Sequence, residues 1–287
     1  MSAHALRGRA RPLNLERSVR VLACDFSVAA NCEEFLSELD GLVQHASQRH
    51  PVSRRYRFEV ARTNDGYRLS EDGRDLEGRS DARSTAELLY VRMHELALDA
   101  LPEFTKVHAG CADWSGKRVV VVGPARSGKT TLMTRLLYEG FAVHCDDIVL
   151  LNRGGVLPFP RRFRIRSHAL PLLPQIAPFA AELRETREHL AVDPTRLGFN
   201  WRIDAAPADA VLFLEPNHGG KTELEACPKV SMAERLMAQS NPPAAGVRDW
   251  VRDVCGVLEN AGCFVLRCGD LDTGSAAVKD ALSQGRA

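Results

Sequence analysis

The spacing of apolar side chains changes several times along the 287 residues, and each change marks an element. Residues 18–28, SVRVLACDFSV, are rich in apolar and β-branched side chains and predict an opening strand. From 32 to 46 the apolar positions Phe35, Leu36, Leu39, Leu42 and Val43 recur at helical spacing and share one face. Residues 55–60 alternate with period two, and Asn64-Asp65-Gly66 is a hairpin turn into 67–70. The charged, glycine-bearing stretch 71–81 reads as a surface loop. Ser84 is positioned to cap a helix running through Leu101, and Pro102 then stops or redirects the chain.

Beyond residue 104 the pattern becomes that of alternating strands and helices. Strands are predicted at 105–111, at 118–122 after the turn Trp114-Ser115-Gly116-Lys117, at 141–145, at 210–214 and at 263–268. Helices are predicted at 129–139, closed by Gly140, and at 180–190, 231–239 and 247–259. The stretch 150–170 is marked by prolines and arginines and is given no element. These elements divide the chain into a small α+β module at 1–103, suited to substrate contact or assembly, and an α/β domain at 104–287.

Composition narrows the function classes. Lys and Arg number 38 against 37 Asp and Glu, so no bulk charge recruits nucleic acid. No run of eighteen apolar residues exists, and no membrane span or membrane partner is expected. The first residues, MSAHALRGRARPLNLERS, carry arginines without a following apolar segment and do not read as a secretory signal. The eight cysteines form no CxxC pair, and a chain of this size needs no disulfide staples. Reduced thiols and a cytoplasmic location are the expectation. Cys255, Cys263 and Cys268 are a weak metal candidate, and core packing is the better reading of the run at 263–268.

The chemistry concentrates at 123–130, GPARSGKT, which matches G-x-x-x-x-G-K-[ST] between a β-branched strand and an amphipathic helix. Gly123 and Gly128 allow a tight turn whose amides, with Ser127, Thr131 and the helix start, meet phosphate charge. Lys129 sets an ammonium against the outer phosphates, and the Thr130 hydroxyl suits magnesium. Arg126 could add charge there or point into solvent. The pattern predicts ATP and Mg2+ as cofactors.

Asp146 and Asp147 follow one helix and one short strand later. On a fully extended backbone neighbouring side chains point apart, but at a strand end both can reach the loop. One acid can then ligate magnesium and the other accept a proton from an attacking hydroxyl, in either assignment. His108 and His144 lie on flanking strands, where each could approach the phosphates or simply pack.

The ordered set His108-Ala109-Gly110, GPARSGKT at 123–130, Gly140 and Asp146-Asp147 resembles the catalytic domain of HPr kinase/phosphorylase and the HPr-kinase-like serine kinases. The resemblance covers about residues 104–215. It implies a P-loop kinase domain related in fold to phosphoenolpyruvate carboxykinase. It gives phosphate and metal contact to Lys129 and Thr130, and base and metal roles to Asp146 and Asp147. It also puts His108 near the phosphates and allows a homo-oligomer. Pro124 stands where the bifunctional enzymes carry an acid, and the family's later signature has no match here, which sets phosphorylase activity and the HPr substrate aside. Related small kinases act on precursor peptides such as those of lasso peptides.

Two further segments carry charge. Arg161, Arg162, Arg164 and Arg166 crowd 158–166, and the last three share a face if that segment is extended, ready for a triphosphate, an acidic peptide or solvent. Glu215 and Lys221 flank the flexible turn at 216–220 and could face the site. The resulting expectation is an ATP- and magnesium-dependent kinase acting on a serine of a peptide or protein. A small-molecule hydroxyl acceptor and a nucleotide-gated assembly ATPase are the alternatives.

Overall fold

The computed structural model describes residues 12–43, 51–76, 78–183 and 188–284. The chain divides after Leu101 into two compact units.

The first unit is a five-stranded sheet with two helices. Its elements are β1 (Leu15–Val21), β2 (Cys24–Ala30), α1 (Glu33–Asp40), β3 (Arg54–Thr63), β4 (Gly66–Glu71), β5 (Arg74–Asp75) and α2 (Ala82–Asp99). The single strand predicted at 18–28 is instead a hairpin, with Val21 paired to Cys24 across a turn at Leu22 and Ala23. Leu22 adopts φ 48 and is fully buried, so packing holds a turn that carries no Gly, Asn or Asp to announce it. The hairpin at Asn64-Asp65 forms as expected, with Thr63 opposite Gly66. α1 stops at Asp40, where the Gly41 N–H bonds the Ser37 carbonyl, rather than running to 46. Residues 44–46 of that prediction lie outside the described residues. α2 is capped by Asp81, whose carboxylate accepts from the Ser84 N–H, so Ser84 is the third helical residue and not the cap.

The second unit holds, among the described residues, a mixed ten-stranded sheet and a separate two-stranded one. Its elements are β6 (Thr105–Trp114), β7 (Lys117–Val122), α3 (Lys129–Tyr138), β8 (Ala142–Cys145), β9 (Ile148–Asn152), β10 (Gly155–Pro158), β11 (Phe163–Arg166), β12 (His189–Val192), β13 (Ala206–Pro207), β14 (Ala210–Pro216), β15 (Glu223–Ala226), α4 (Lys229–Ala238), β16 (Ser240–Asn241), α5 (Val247–Leu258), β17 (Gly262–Cys268) and α6 (Leu271–Gln284). The main path runs β13-β10-β9-β6-β7-β14-β17-β15, with β8 and β16 also paired to β6. β7, β14 and β17 are mutually parallel, and the remaining pairings are antiparallel. The fold is therefore mixed α/β.

Burial explains the order. All but the first residue of the KRVVVV strand β7 is buried, as a strand covered on both faces requires. Val120 and Val122 pack with Met232, Leu236, Val254 and Val257 of α4 and α5. By period two, Val121 faces the other way. Its cross-strand partner Gly110 meets Met133 of α3, so close that a Cβ there would lie 2.6 Å from the methionine side chain.

Several predicted features of this unit change. The stretch 150–170 contains three strands, and the turn of the first hairpin is Arg153-Gly154, with φ 47 and 84. Proline and arginine content hid it, although Asn152-Arg153-Gly154-Gly155 is a turn sequence. No helix occupies the described part of 180–190, which is turn followed by β12. β15 and α6 were not anticipated. α6 begins at an Asp270 whose side chain accepts from the N–H groups of Asp272 and Thr273.

Asp253 of α5 pins the sheet below the site. It is buried, its carboxylate accepts from the Thr105 hydroxyl at 2.9 Å and from the Arg153 N–H at 3.1 Å, and it thereby fixes the start of β6 and the β9–β10 turn. Asp253→Ala strands the buried Thr105 hydroxyl, at a cost of about 1–3 kcal/mol, and removes the partner of the part-buried Arg153 N–H. Denaturant unfolding followed on this unit is expected to lose about 2–4 kcal/mol. An unchanged midpoint would contradict the role given to Asp253.

Candidate active site

The loop between β7 and α3 is fixed at its first glycine by close contact and at its second by backbone conformation. A Cβ on Gly123 would lie 2.7 Å from the Leu214 carbonyl oxygen and 3.0 Å from Ser127 Oγ. The Ser127 N–H closes a turn on the Pro124 carbonyl at 3.2 Å. Arg126 takes φ 69, and Gly128 takes φ 95 immediately before the helix. No side chain caps α3, so its first amides stay available where Lys129, Thr130 and Thr131 line a cavity.

Lys129 is folded back onto its own loop. Its Nζ donates to the carbonyl oxygens of Gly123 at 2.7 Å and Pro124 at 3.1 Å, and the residue is only 4% exposed. Burial pulls its pKa down to about 8, against the opposing pull of Asp147 and Asp146.

The acid pair is placed by the register of β6. His108 pairs with Ile148 of β9 and Cys111 with Cys145 of β8, so Asp146 and Asp147 span the gap between two strands sharing one edge. The chain bends there, and both carboxylates line the same cavity. Their surroundings differ. Asp146 is 2% exposed, and among the described residues its Oδ1 has no hydrogen-bond partner. Burial, reinforced by the charge of Asp147, raises its pKa to about 7, and a hydrogen bond from Thr130 opposes that rise. Asp147 is also penalised by burial, but the His108 hydrogen bond and the Arg161 charge outweigh it and hold its pKa below the usual carboxylate value.

His108 Nδ1 lies 3.0 Å from both Asp147 Oδ1 and the Asp147 carbonyl oxygen. A carbonyl only accepts, so Nδ1 carries the proton and Nε2 is left for another partner. Arg161 Nη1 completes the set at 3.2 Å from Asp147 Oδ2.

The cavity over these groups has a volume of about 560 Å³ and is also lined by Arg162, Arg164, Arg166, His168 and His189. A second cavity of about 490 Å³ is lined by Ser127, Leu132, Leu214, Gly269 and Leu271, and shares Gly128, Thr131, Leu172 and His218 with the first.

The sequence-selected residues are thus partly assembled. His108, Arg126, Gly128, Lys129, Thr130, Thr131, Asp146 and Asp147 line the first cavity, and Ser127, with an unpartnered buried hydroxyl, lines the second. Gly123 lines neither and acts through its carbonyl on Lys129. His144, within β8, lines neither cavity: its Nδ1 donates to the Arg202 carbonyl at 2.5 Å and its Nε2 lies 2.9 Å from Asp113 Oδ2 and 3.2 Å from Arg118. Arg118 grips Asp113 with two nitrogens, and the group is a buried structural network. Glu215 does not face the site either, being paired with Arg235 and Arg267, and Lys221 lines neither cavity. Sequence reasoning missed the specific pairing of Arg161 and the histidines at 168, 189 and 218. They converge only through the β11–β12 pairing and the turn after β14, for which no local spacing exists.

No family model and no curated protein sequence matches the chain. Among solved structures, the HPr(Ser) kinase/phosphatase from Coxiella burnetii is similar with a TM-score of 0.32 and 12% identity, covering 61% of this chain and 94% of its own. A likeness that weak bears on neither the site nor the reaction.

The raised Asp146 pKa has a sign that can be measured. From the ordinary 3.8 up to about 7, the folded protein keeps a proton that the unfolded chain has released. This group therefore lowers stability as pH rises through that window, and its full cost is present above it. In the absence of nucleotide and metal, Asp146→Asn is expected to raise Tm at pH 8 and to leave it nearly unchanged at pH 4. An equal shift at both pH values would contradict the environment assigned to Asp146.

Proposed function

We propose that the second unit is an ATP- and magnesium-dependent kinase that moves the γ-phosphate to a hydroxyl, a peptide or protein serine being the favoured acceptor. The observation that carries this reading is the division of the acid pair. One carboxylate is buried beside Thr130 with an unpartnered oxygen, the other is held ionised on His108 and Arg161, and both share a cavity with Lys129.

The Asp146 carboxylate and the Thr130 hydroxyl are hard oxygen donors and fit magnesium. A magnesium ion held there would supply charge neutralisation for the outer phosphates. The Lys129 ammonium exchanges two loop carbonyls for phosphate oxygens, regaining the charge partner that burial denies it. The first amides of α3 and the loop glycines receive the remaining phosphate charge. The second cavity, which shares Gly128 and Thr131 with the first, would take the nucleoside.

Asp147 serves the acceptor side. It fixes the Nδ1–H of His108, so that Nε2 takes the proton from the attacking hydroxyl and the resulting cation is stabilised by the carboxylate. Arg161 keeps that carboxylate ionised. On this reading the unit has the P-loop fold of the HPr kinase and phosphoenolpyruvate carboxykinase type, works in the cytoplasm, and takes a precursor peptide as one acceptor to test.

Titration calorimetry with Mg–ATP and transfer from γ-labelled ATP to serine peptides test the proposal together. Lys129→Ala is expected to weaken nucleotide binding at least tenfold, since it removes a charge-assisted phosphate contact. Asp147→Asn should hold nucleotide within about threefold of wild type but lose transfer by about 10²–10⁴. A wild-type protein that binds no Mg–ATP would sink the reading, and an Asp147→Asn protein with full transfer would remove Asp147 from the reaction.

A further inference from the structure

Part of the basic lining of the first cavity belongs to an element separate from the phosphate loop. β11 and β12 form their own two-stranded sheet, outside the main one. Along β11 burial alternates, with Phe163 and Ile165 inside and Arg164 and Arg166 exposed. The apolar pair thus anchors the strand while the arginines line the cavity with His168 of the following 3-10 turn and His189 of β12. Among the described residues Arg166 has no ion-pair partner.

The two cavities differ in charge. Arg135 is the one arginine lining the second, and it is already paired with Glu139 and Asp272. On the kinase reading, Lys129 and the first amides of α3 would meet the charge of a triphosphate lying along Gly128 and Thr130. The same cavity takes in His108, Asp147 and the basic side chains of β11 and β12, so an acceptor beside His108 shares its space with them. A neutral acceptor filling that space would take water from Arg166 and return no charge. A carboxylate or phosphate would be received by it in charge-assisted hydrogen bonds.

We infer that the β11–β12 wall is an anion subsite of the acceptor, so that the hydroxyl to be phosphorylated belongs to a molecule bearing a carboxylate or phosphate close by. The inference rests on the kinase reading above and adds the acceptor's charge to it. Arg164 and Arg166 are positioning residues, holding the acceptor so that its hydroxyl meets His108. They take no part in the proton transfer.

Inorganic phosphate is the probe. It is titrated by calorimetry into wild-type protein already saturated with magnesium and a non-hydrolysable ATP analogue, so that the nucleotide's own phosphate positions are filled. The expected result is a second anion site, weakened about tenfold to a hundredfold in Arg164→Ala/Arg166→Ala, with analogue affinity changed less than threefold. Both arginines are solvent-exposed, and circular dichroism and Tm check that the variant is folded. Absence of a second site in the wild type overturns the inference, as does equal phosphate binding by the variant. A matched loss of analogue affinity also overturns it, because the arginines would then belong to the triphosphate. Failure of the wild type to bind the analogue is seen in the first titration and falls on the kinase reading itself. Displacement of the bound phosphate then separates the sources: glycerate against glyceramide for a small hydroxy acid, and a serine peptide flanked by glutamate against its glutamine counterpart for an acidic peptide. Equal displacement by charged and neutral members of each pair would count against the subsite.

Discussion

β6 has to satisfy two different strands along one edge. Its first half pairs with β9 and its second half with β8, while β7 takes the opposite edge. A strand that continues in register past both would bury Asp146 and Asp147 on opposite faces of the sheet. The bend between β8 and β9 avoids this and brings both carboxylates out beside the loop that leaves β7. Gly110, opposite the bend, lets α3 approach the sheet closely enough for Thr130 to reach Asp146. The backbone at the break is still satisfied, since the Ala109 N–H donates to the Asp147 carbonyl and the His108 N–H to Gln239.

That geometry separates two chemically identical side chains. Asp146 lies under the sheet edge and is denied water. Asp147, one residue on, meets an imidazole and a guanidinium. The same desolvation acts on Lys129, whose ammonium donates to two loop carbonyls. An acid above its ordinary pKa and a lysine below it are each relieved by a ligand that brings the missing charge. These two opposite displacements, side by side in one cavity, are what support the magnesium and nucleotide proposed for the site.

Much of this was legible in the sequence where local chemistry decides the outcome. The strand, loop and helix around 117–138 follow from a β-branched run, two glycines and an amphipathic pattern, and Trp114-Ser115-Gly116-Lys117 turns as its residues require. The reading failed where tertiary contacts override local signals. Leu22 turns with a left-handed backbone because it is packed on every side, and no periodicity reports that. His144 is two residues before Asp146 in sequence yet meets Arg118 and Asp113, at a place where the β6–β8 register shifts between Cys111 and Ala112. Arg161 and His189 meet at one cavity only through the pairing of β11 with β12, which links residues far apart in the chain.

A crystal structure with magnesium and a non-hydrolysable ATP analogue tests the central claim most directly. The account predicts that Lys129 Nζ leaves the carbonyls of Gly123 and Pro124 for the outer phosphates. It also predicts metal density between Asp146 and Thr130, the nucleoside in the cavity bounded by Leu214 and Leu271, and Asp147 still bonded to His108. Nucleotide bound elsewhere, or a Lys129 that keeps both carbonyl hydrogen bonds beneath a bound triphosphate, would contradict it.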